Sequence, residues 1–314
     1  MSHALKGQSP TASLAPPRWR SILKAVRPHQ WAKNVLVFVP LVMSHQLKNG
    51  PKLIAAAACF AAFSLLASAV YVVNDLVDIE ADRAHPTKRH RPFASGQLGV
   101  ASGIVMVLGS VCGAFALSMW ALPRAAVLML VAYALLTTAY SLLLKRKLML
   151  DVLTLAALYT HRMLSGGVAT GVVVSEWLLA FSMFLFLSLA LAKRYTELRG
   201  LPVGVEGRIQ GRGYWAKDLD LIRTLGPTSG TIAVLVLVLY INLSPEVGRH
   251  YPAPWVLYFI CPIVLYWITR IWFLAQRGQL DDDPVVFALK DRVSLLVGAV
   301  AVALLILASR NISS

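Results

Sequence analysis

The chain has 314 residues, 57% of them hydrophobic and only 14% charged, with a net charge of +15. Soluble domains carry about 25% charged residues, and here the apolar residues come in long runs, so an ordinary water-soluble domain is excluded. The excess of Lys and Arg does not call for nucleic acid: contact with anionic membrane lipid and the marking of one membrane face account for it.

In chain order, residues 1–20 lack the apolar region of a signal peptide and read as a mobile tail. Residues 21–314 read as one integral-membrane domain. It opens with a short helix lying on the membrane surface at 21–27. A run of about 18 apolar residues is needed to cross a bilayer as a helix. Nine stretches meet or approach that length: 31–47, 53–73, 98–122, 125–144, 148–171, 177–192, 228–243, 254–274 and 294–309. The first is the shortest and holds Pro40 and His45. The runs are too long and uniform for barrel strands, so the expected fold is all-α, a polytopic bundle of nine transmembrane helices. Most of the 30 Lys and Arg residues fall in 1–33, 74–97, 145–147, 193–223 and 270–292, which places these segments and the N-terminus in the cytoplasm. Most of the acids fall there too, so any chemistry faces the cytoplasm. Cys59, Cys112 and Cys261 lie in spans and show no pairing logic. GSVCG (109–113) and GVATG (167–171) have the small-xxx-small spacing of close helix packing.

The second span runs into NDLVDIEADRAHPTKRHRPFASGQ (74–97). If the helix continues, the spacing puts Asn74, Asp75, Asp78 and Asp82 on one face, and Glu80 points elsewhere. The helix should stop near His85, because Pro86 disfavours helix in the residue before it. Carboxylates this close repel: a like pair at 4 Å costs about 1 kcal/mol in water and about 4 kcal/mol at an effective dielectric of 20. One remedy is Mg²⁺ held by Asp75, Asp78 and Asp82. The other is salt bridging to Lys88, Arg89 and Arg91. The basic run also suits phosphate oxygens, and a diphosphate carried by Mg²⁺ would satisfy both halves of the segment.

This segment resembles the first aspartate-rich motif, NDxxDxxxD, of the UbiA-type polyprenyl transferase superfamily. Together with RPHQWAKN (27–34), KRYTEL (193–198) and DDPVVFALKDR (282–292), it is similar to that superfamily's decaprenyl-phosphate phosphoribosyltransferase branch, over nearly the whole chain. The resemblance implies nine spans in a bacterial plasma membrane. It implies Mg²⁺-dependent transfer of 5-phosphoribose from phosphoribosyl pyrophosphate to a polyprenyl (decaprenyl) phosphate, releasing pyrophosphate, in cell-wall arabinan precursor synthesis. Asn74, Asp75, Asp78 and Asp82 match the metal–diphosphate motif. The superfamily's second aspartate-rich motif is missing: its place reads KRYTELRG, with Glu197 the one carboxylate. A rival keeps the fold and moves a prenyl chain from a prenyl diphosphate to an aromatic or other small acceptor. A transporter or membrane scaffold is the alternative of another class, and a homo-oligomer is left open.

The other polar positions carry two readings each. Gln30, Lys33 and Asn34 either reach a phosphate or anchor the interface with Trp31. Lys193 and Glu197 share a helix face, as a surface pair or as part of the cavity of Asp78, with Arg194 and Tyr195 beside them. Arg162 lies deep in its span, where a charge costs about 3 kcal/mol, so it faces the bundle or snorkels outward with His161. Asp151 is a partner for Lys145 or Lys147. Asp281–Asp283 precede Pro284 as a helix start, with Asp283 as N-cap. Arg208, Arg212 and Lys217, in a glycine-containing loop, form a lid over bound phosphate. No Walker motif or Ser/His/Asp set is present.

Overall fold

A computed structural model describes residues 17–200, 207, 211–280 and 283–310. Most of the expected tail, Arg208, Asp281 and Asp282 lie outside the described residues. Among the described residues the chain is all-helical, with no strand. The α-helices in order are α1 (Arg18–Val26), α2 (Val39–Met43), α3 (Gly50–Val77), α4 (Ile79–Ala84), α5 (Val100–Ala121), α6 (Arg124–Leu142), α7 (Leu150–Thr170), α8 (Glu176–Arg199), α9 (Leu219–Leu243), α10 (Pro245–His250), α11 (Ile260–Gln276), α12 (Pro284–Ala288) and α13 (Arg292–Ala308).

The ends follow from local chemistry. Asn49 caps α3 by accepting from the Lys52 backbone N–H, Ser175 caps α8 through Leu178, and Asp291 caps α13 through Ser294. Asp283 caps α12 with Pro284 in the first turn, as the sequence predicts. α4 ends at His85, which is extended ahead of Pro86 (φ −87°, ψ 135°), also as expected. α1 starts at Arg18, three residues before the expected surface helix. It leaves Trp19, Ile22 and Leu23 exposed, an apolar edge suited to a membrane surface.

Among the described residues six segments are long and apolar enough to cross a membrane: Gly50–Val77, Val100–Ala121, Arg124–Arg146, Glu176–Arg199, Ala216–Leu243 and Pro254–Gln276. The expected count of nine is not confirmed. The stretch at 31–47 divides into a 3₁₀ segment, Pro28–Phe38, and the five-residue α2. α7 is long enough but carries Asp151, His161 and Arg162, and α13 has only 17 residues.

α7 is the centre of the bundle. It packs against α3, α6, α8, α2 and the Pro28–Phe38 segment. α8 lies between α7 and α9, and Ser188 ties three helices together: it donates to the Gly226 carbonyl of α9 (2.7 Å) and accepts from Trp272 Nε1 of α11 (3.0 Å). Apolar side chains such as Val105, Trp120, Leu128 and Leu135 are left exposed on α5 and α6, where lipid would cover them. The glycines that permit close approach are not those of GSVCG. A Cβ on Gly109 would meet nothing, and one on Gly113 only Leu65 at 3.6 Å. A Cβ on Gly166 would stand 1.9 Å from the Val37 carbonyl oxygen, and one on Gly226 1.9 Å from the Trp272 ring.

Candidate active site

Helix direction alternates through the bundle, so the ends of α3, α6, α8 and α11 share one face with the basic connections. Three charged clusters form there.

The first is the aspartate segment. Asp75, in the last turn of α3, is 2% exposed. Its Oδ1 accepts from Arg27 Nη2 (2.6 Å) and Arg91 Nη1 (3.1 Å), and the same Arg91 Nη1 donates to Asp82 Oδ2 (2.7 Å). Arg27 has φ 54°, ψ 60°, a left-handed backbone that is uncommon outside glycine. That turn ends α1 and brings the guanidinium over the Tyr71 ring (5.1 Å) onto Asp75. Arg27 opens RPHQWAKN (27–34), and nothing in that stretch of sequence assigns it a role.

The four-residue face is not fully formed. The helix breaks at Asp78 (φ −95°, ψ 11°) between α3 and α4. Asp78 is exposed, Asn74 is half-buried, and Asp75 and Asp82 turn inward together. Of the three basic residues offered as salt-bridge partners, Arg91 takes that role. Lys88 and Arg89 are exposed, Arg89 lying beside His90. Among the described residues no three Asp, Glu, His or Cys side chains are gathered closely enough to hold a metal ion. Arg91 bridges Asp75 and Asp82, and Arg27 pairs with Asp75. The donor set still fits a hard dication: all its ligating atoms are carboxylate oxygens, and those of Asp75 and Asp82 converge on one cationic nitrogen.

The second cluster centres on Asp283, where α12 packs against both α8 and the Pro28–Phe38 segment. Asp283 Oδ2 pairs with Lys33 Nζ (2.5 Å) and Lys193 Nζ (3.3 Å). Its Oδ1 accepts from Tyr159 Oη (3.4 Å) and from the backbone N–H groups of Val285 and Val286 (3.2 and 3.3 Å). Burial acts to raise the carboxyl pKa, but the two lysines outweigh it and hold Asp283 well below the ordinary carboxylate range. Lys33 and Lys193 were both expected at the site; their meeting on Asp283 was not.

The third cluster surrounds Arg194, which is fully buried. It pairs with Asp151 (Nε–Oδ2 2.5 Å) and with Glu197, and Arg212 reaches Asp151 (3.4 Å) and Glu197 (3.9 Å). Tyr140 Oη donates to Asp151 (2.9 Å). Two cations thus meet two carboxylates. Asp151 therefore does not pair with Lys145 or Lys147, and Glu197 pairs with arginines rather than with Lys193. Arg212 is held by buried Asp151 and half-buried Glu197 rather than free to form a lid, and Lys217 lies over the Trp215 ring (5.8 Å).

Two further expectations change. Asn34 is buried, donating to Ser64 Oγ (3.0 Å) and accepting from Arg162 Nε (2.8 Å), so it supports Arg162 rather than a phosphate. Arg162 faces the bundle and also donates to the Leu158 carbonyl and Tyr133 Oη, both at 2.7 Å. Gln30 accepts from Tyr71 Oη (3.3 Å), and Trp31 donates to Ser68 Oγ (2.9 Å).

The model of the UbiA prenyltransferase family matches residues 35–296. The chain is 39% identical to uncharacterized protein y4nM of Sinorhizobium fredii over 91% of its own length, and spans about 55% of that longer protein. It is 36% identical to nodulation protein NoeC of Azorhizobium caulinodans, covering 87% of this chain and 88% of that one. It is 33% identical to decaprenyl-phosphate phosphoribosyltransferase of Mycobacterium tuberculosis, covering 88% and 90%. Among solved structures, a UbiA homolog from Archaeoglobus fulgidus bound to GPP and Mg²⁺ superposes with a TM-score of 0.69 at 14% identity, covering 91% of this chain and 99% of that one.

Proposed function

The chain belongs to the UbiA prenyltransferase family, and on that premise we propose that it transfers 5-phosphoribose from phosphoribosyl pyrophosphate to a polyprenyl phosphate at the cytoplasmic face of the plasma membrane. The observation that carries this reading is the convergence of Asp75 and Asp82 on one cation, at an end of the bundle crowded with arginine and lysine. In the place of a second aspartate motif, Glu197 is neutralised by Arg194 and Arg212. A single metal–diphosphate site would suit a reaction with one diphosphate and one monophosphate substrate. The mycobacterial relative is named for this reaction.

Asp75, Asp78 and Asp82 would hold Mg²⁺, which when bound would stabilise negative charge on departing pyrophosphate. Arg27, Lys88, Arg89 and Arg91 neutralise the remaining phosphate charge. The bond from ribose C1 to the pyrophosphate oxygen breaks, and its electron pair leaves with pyrophosphate. An oxygen of the lipid phosphate forms the new bond to C1. A phosphate monoester is largely ionised at pH 7, with a second pKa of about 6, so this step requires no general base. None of the three clusters contains a histidine base.

The second reading is prenyl transfer from a prenyl diphosphate to a small acceptor, favoured by the structural neighbour that holds GPP and Mg²⁺. Purified protein incubated with Mg²⁺, labelled phosphoribosyl pyrophosphate and polyprenyl phosphate separates the two. Labelled lipid is the expected product. No labelled lipid, together with turnover of a prenyl diphosphate on an aromatic acceptor, would reverse the assignment. Transport finds less support, since the acids gather at one end and the polar groups that lie deep are Arg162 and His161.

A further inference from the structure

The two clusters flanking the aspartate segment have different charge balances. Around Arg194 two cations meet two carboxylates, and the set is neutral. Around Asp283, among the described residues, two lysines share one carboxylate. Lys33, Lys193 and Asp283 have side chains only 11%, 22% and 8% exposed. A third cation stands behind them. Arg162 lies over the Tyr159 ring (5.7 Å), and the hydroxyl of that tyrosine reaches Asp283. The hydrogen-bond partners of Arg162 are neutral: Asn34, Tyr133 and the Leu158 carbonyl. Among the described residues three cations therefore face one carboxylate in a buried setting, where uncompensated charge is costly. One dianionic phosphate would neutralise the set.

The elements that carry the two lysines also lead to an apolar space. The Pro28–Phe38 segment continues from Lys33 into α2, and α8 runs back from Lys193 through Phe181 to Leu178. Val39, Pro40, Leu178 and Phe181, with Ile241 of α9, line a cavity of about 500 Å³ toward the far end of the bundle. The twelve residues from Lys193 back to Phe181 span about 18 Å of helix. A ligand with a phosphate at the lysines and a long hydrocarbon chain following these two elements would match both ends.

We infer that Lys33 and Lys193 form the seat of the acceptor lipid's phosphate, separate from the aspartate site of the donor, with Asp283 the positioning residue that keeps the two ammonium groups together. This rests on the phosphoribosyl-transfer reading and names the acceptor's place within it. Asp283 holds the lysines 2.5 and 3.3 Å from one oxygen, and an entering phosphate shares them. Tyr71 links the two sites. Arg27 covers its ring, and its hydroxyl donates to Gln30 of the segment that carries Lys33.

The test is binding of farnesyl phosphate to the full-length protein in detergent, with EDTA present so that the aspartate site holds no metal. Isothermal titration is expected to show binding that weakens at least tenfold in Lys33→Gln and, separately, in Lys193→Gln. Lys33→Arg keeps it within about threefold, and Asp75→Asn leaves it unchanged. Asp283→Asn raises the acceptor KM at least fivefold while the donor KM and kcat move less than twofold. Because the two lysines sit on different elements, a folding failure in one variant leaves the other as the test. Equal binding by wild type and both glutamine variants would overturn the seat. So would equal competition by inorganic phosphate, which would mark a free-phosphate site, or loss of ribose 5-phosphate binding in place of farnesyl phosphate binding. If farnesyl phosphate binds through the lysines but no phosphoribosyl transfer occurs, the seat stands and the proposed function falls. If transfer proceeds and Lys33→Gln alters only the donor KM, the function stands and the seat falls.

Discussion

Asp75 and Asp78 are three residues apart and differ in burial, so their asparagine variants should separate chemistry from stability. Asp78 is exposed at a helix break and has little packing to lose. Asp78→Asn is expected to abolish labelled-lipid formation while the thermal midpoint in detergent stays within about 1 °C, a shift of under about 1 kcal/mol at this size. Near-normal turnover would remove Asp78 from the site. Asp75→Asn should lose activity and stability together, because it strips Arg27 and Arg91 of a buried partner. Removing one partner of a fully buried pair costs about 3–5 kcal/mol. Here the arginine side chains are 21% and 27% exposed, so about 1–3 kcal/mol is expected, read from detergent unfolding. At this scale the sequence was partly legible. The aspartates and Arg91 lie close together in the chain, and their spacing marked them. Lys33, Lys193 and Asp283 are spread along the chain, and no local pattern joins them. Arg27 was present in a quoted motif, but nothing in that motif says its backbone turns left-handed to reach Asp75.

Among the elements, the Pro28–Phe38 segment decides most of the site. It carries Lys33 and Asn34, and it lies against α7 at Gly166 so closely that a Cβ there would meet the Val37 carbonyl oxygen at 1.9 Å. Backbone does not yield as a flexible side chain does. Gly166→Ala is therefore expected to push this segment off α7, costing about 1–3 kcal/mol and reducing phosphoribosyl transfer at least tenfold. Unchanged unfolding and turnover would show that the contact is not tight. The length of apolar runs locates α3, α5, α6 and α8 because each is continuous and apolar. It could not foresee that 31–47 divides into a 3₁₀ stretch and a short α-helix, since that choice depends on packing against α7. The five-residue α12 was legible from its Asp-Pro start. Its docking depends on Asp283, whose folded pKa lies below the unfolded value of about 3.9. That contribution to stability is fully present above the unfolded pKa and is lost as pH falls through the folded one. Between pH 7 and pH 5 the wild type should therefore show no loss of stability from this carboxyl. A difference in thermal midpoint between wild type and Asp283→Asn that shrinks across that window would contradict the lysine pairing.

For the whole molecule, the distribution of charge over the two ends of the bundle is what supports the proposed orientation in a membrane. Arg83, Lys88, Arg89, Arg91, Lys145, Arg146 and Lys147 fall in or beside the connections at the aspartate end, with Arg199, Arg212 and Lys217. Connections at the other end, near 44–49, 122–123, 171–175 and 244–253, carry few basic residues. Lys and Arg in short loops set orientation, and each contributes about 1 kcal/mol of attraction to an anionic cytoplasmic leaflet. Both arguments turn the aspartate end inward. The proposed chemistry requires the same: phosphoribosyl pyrophosphate is highly charged and water-soluble, so it must reach Asp75, Arg27 and Arg91 from the aqueous side where it is made. A variant with Cys59, Cys112 and Cys261 replaced by alanine allows a direct check with single new cysteines. Gln97 and Val173 are both exposed, Val173 at 91%, and they lie at opposite ends of the bundle. In intact spheroplasts, a membrane-impermeant maleimide should label Val173→Cys and not Gln97→Cys; in inverted vesicles the pattern should exchange. The reverse pattern would put the aspartate end outside the cell, beyond reach of a cytoplasmic donor, and the phosphoribosyl-transfer reading would not survive it.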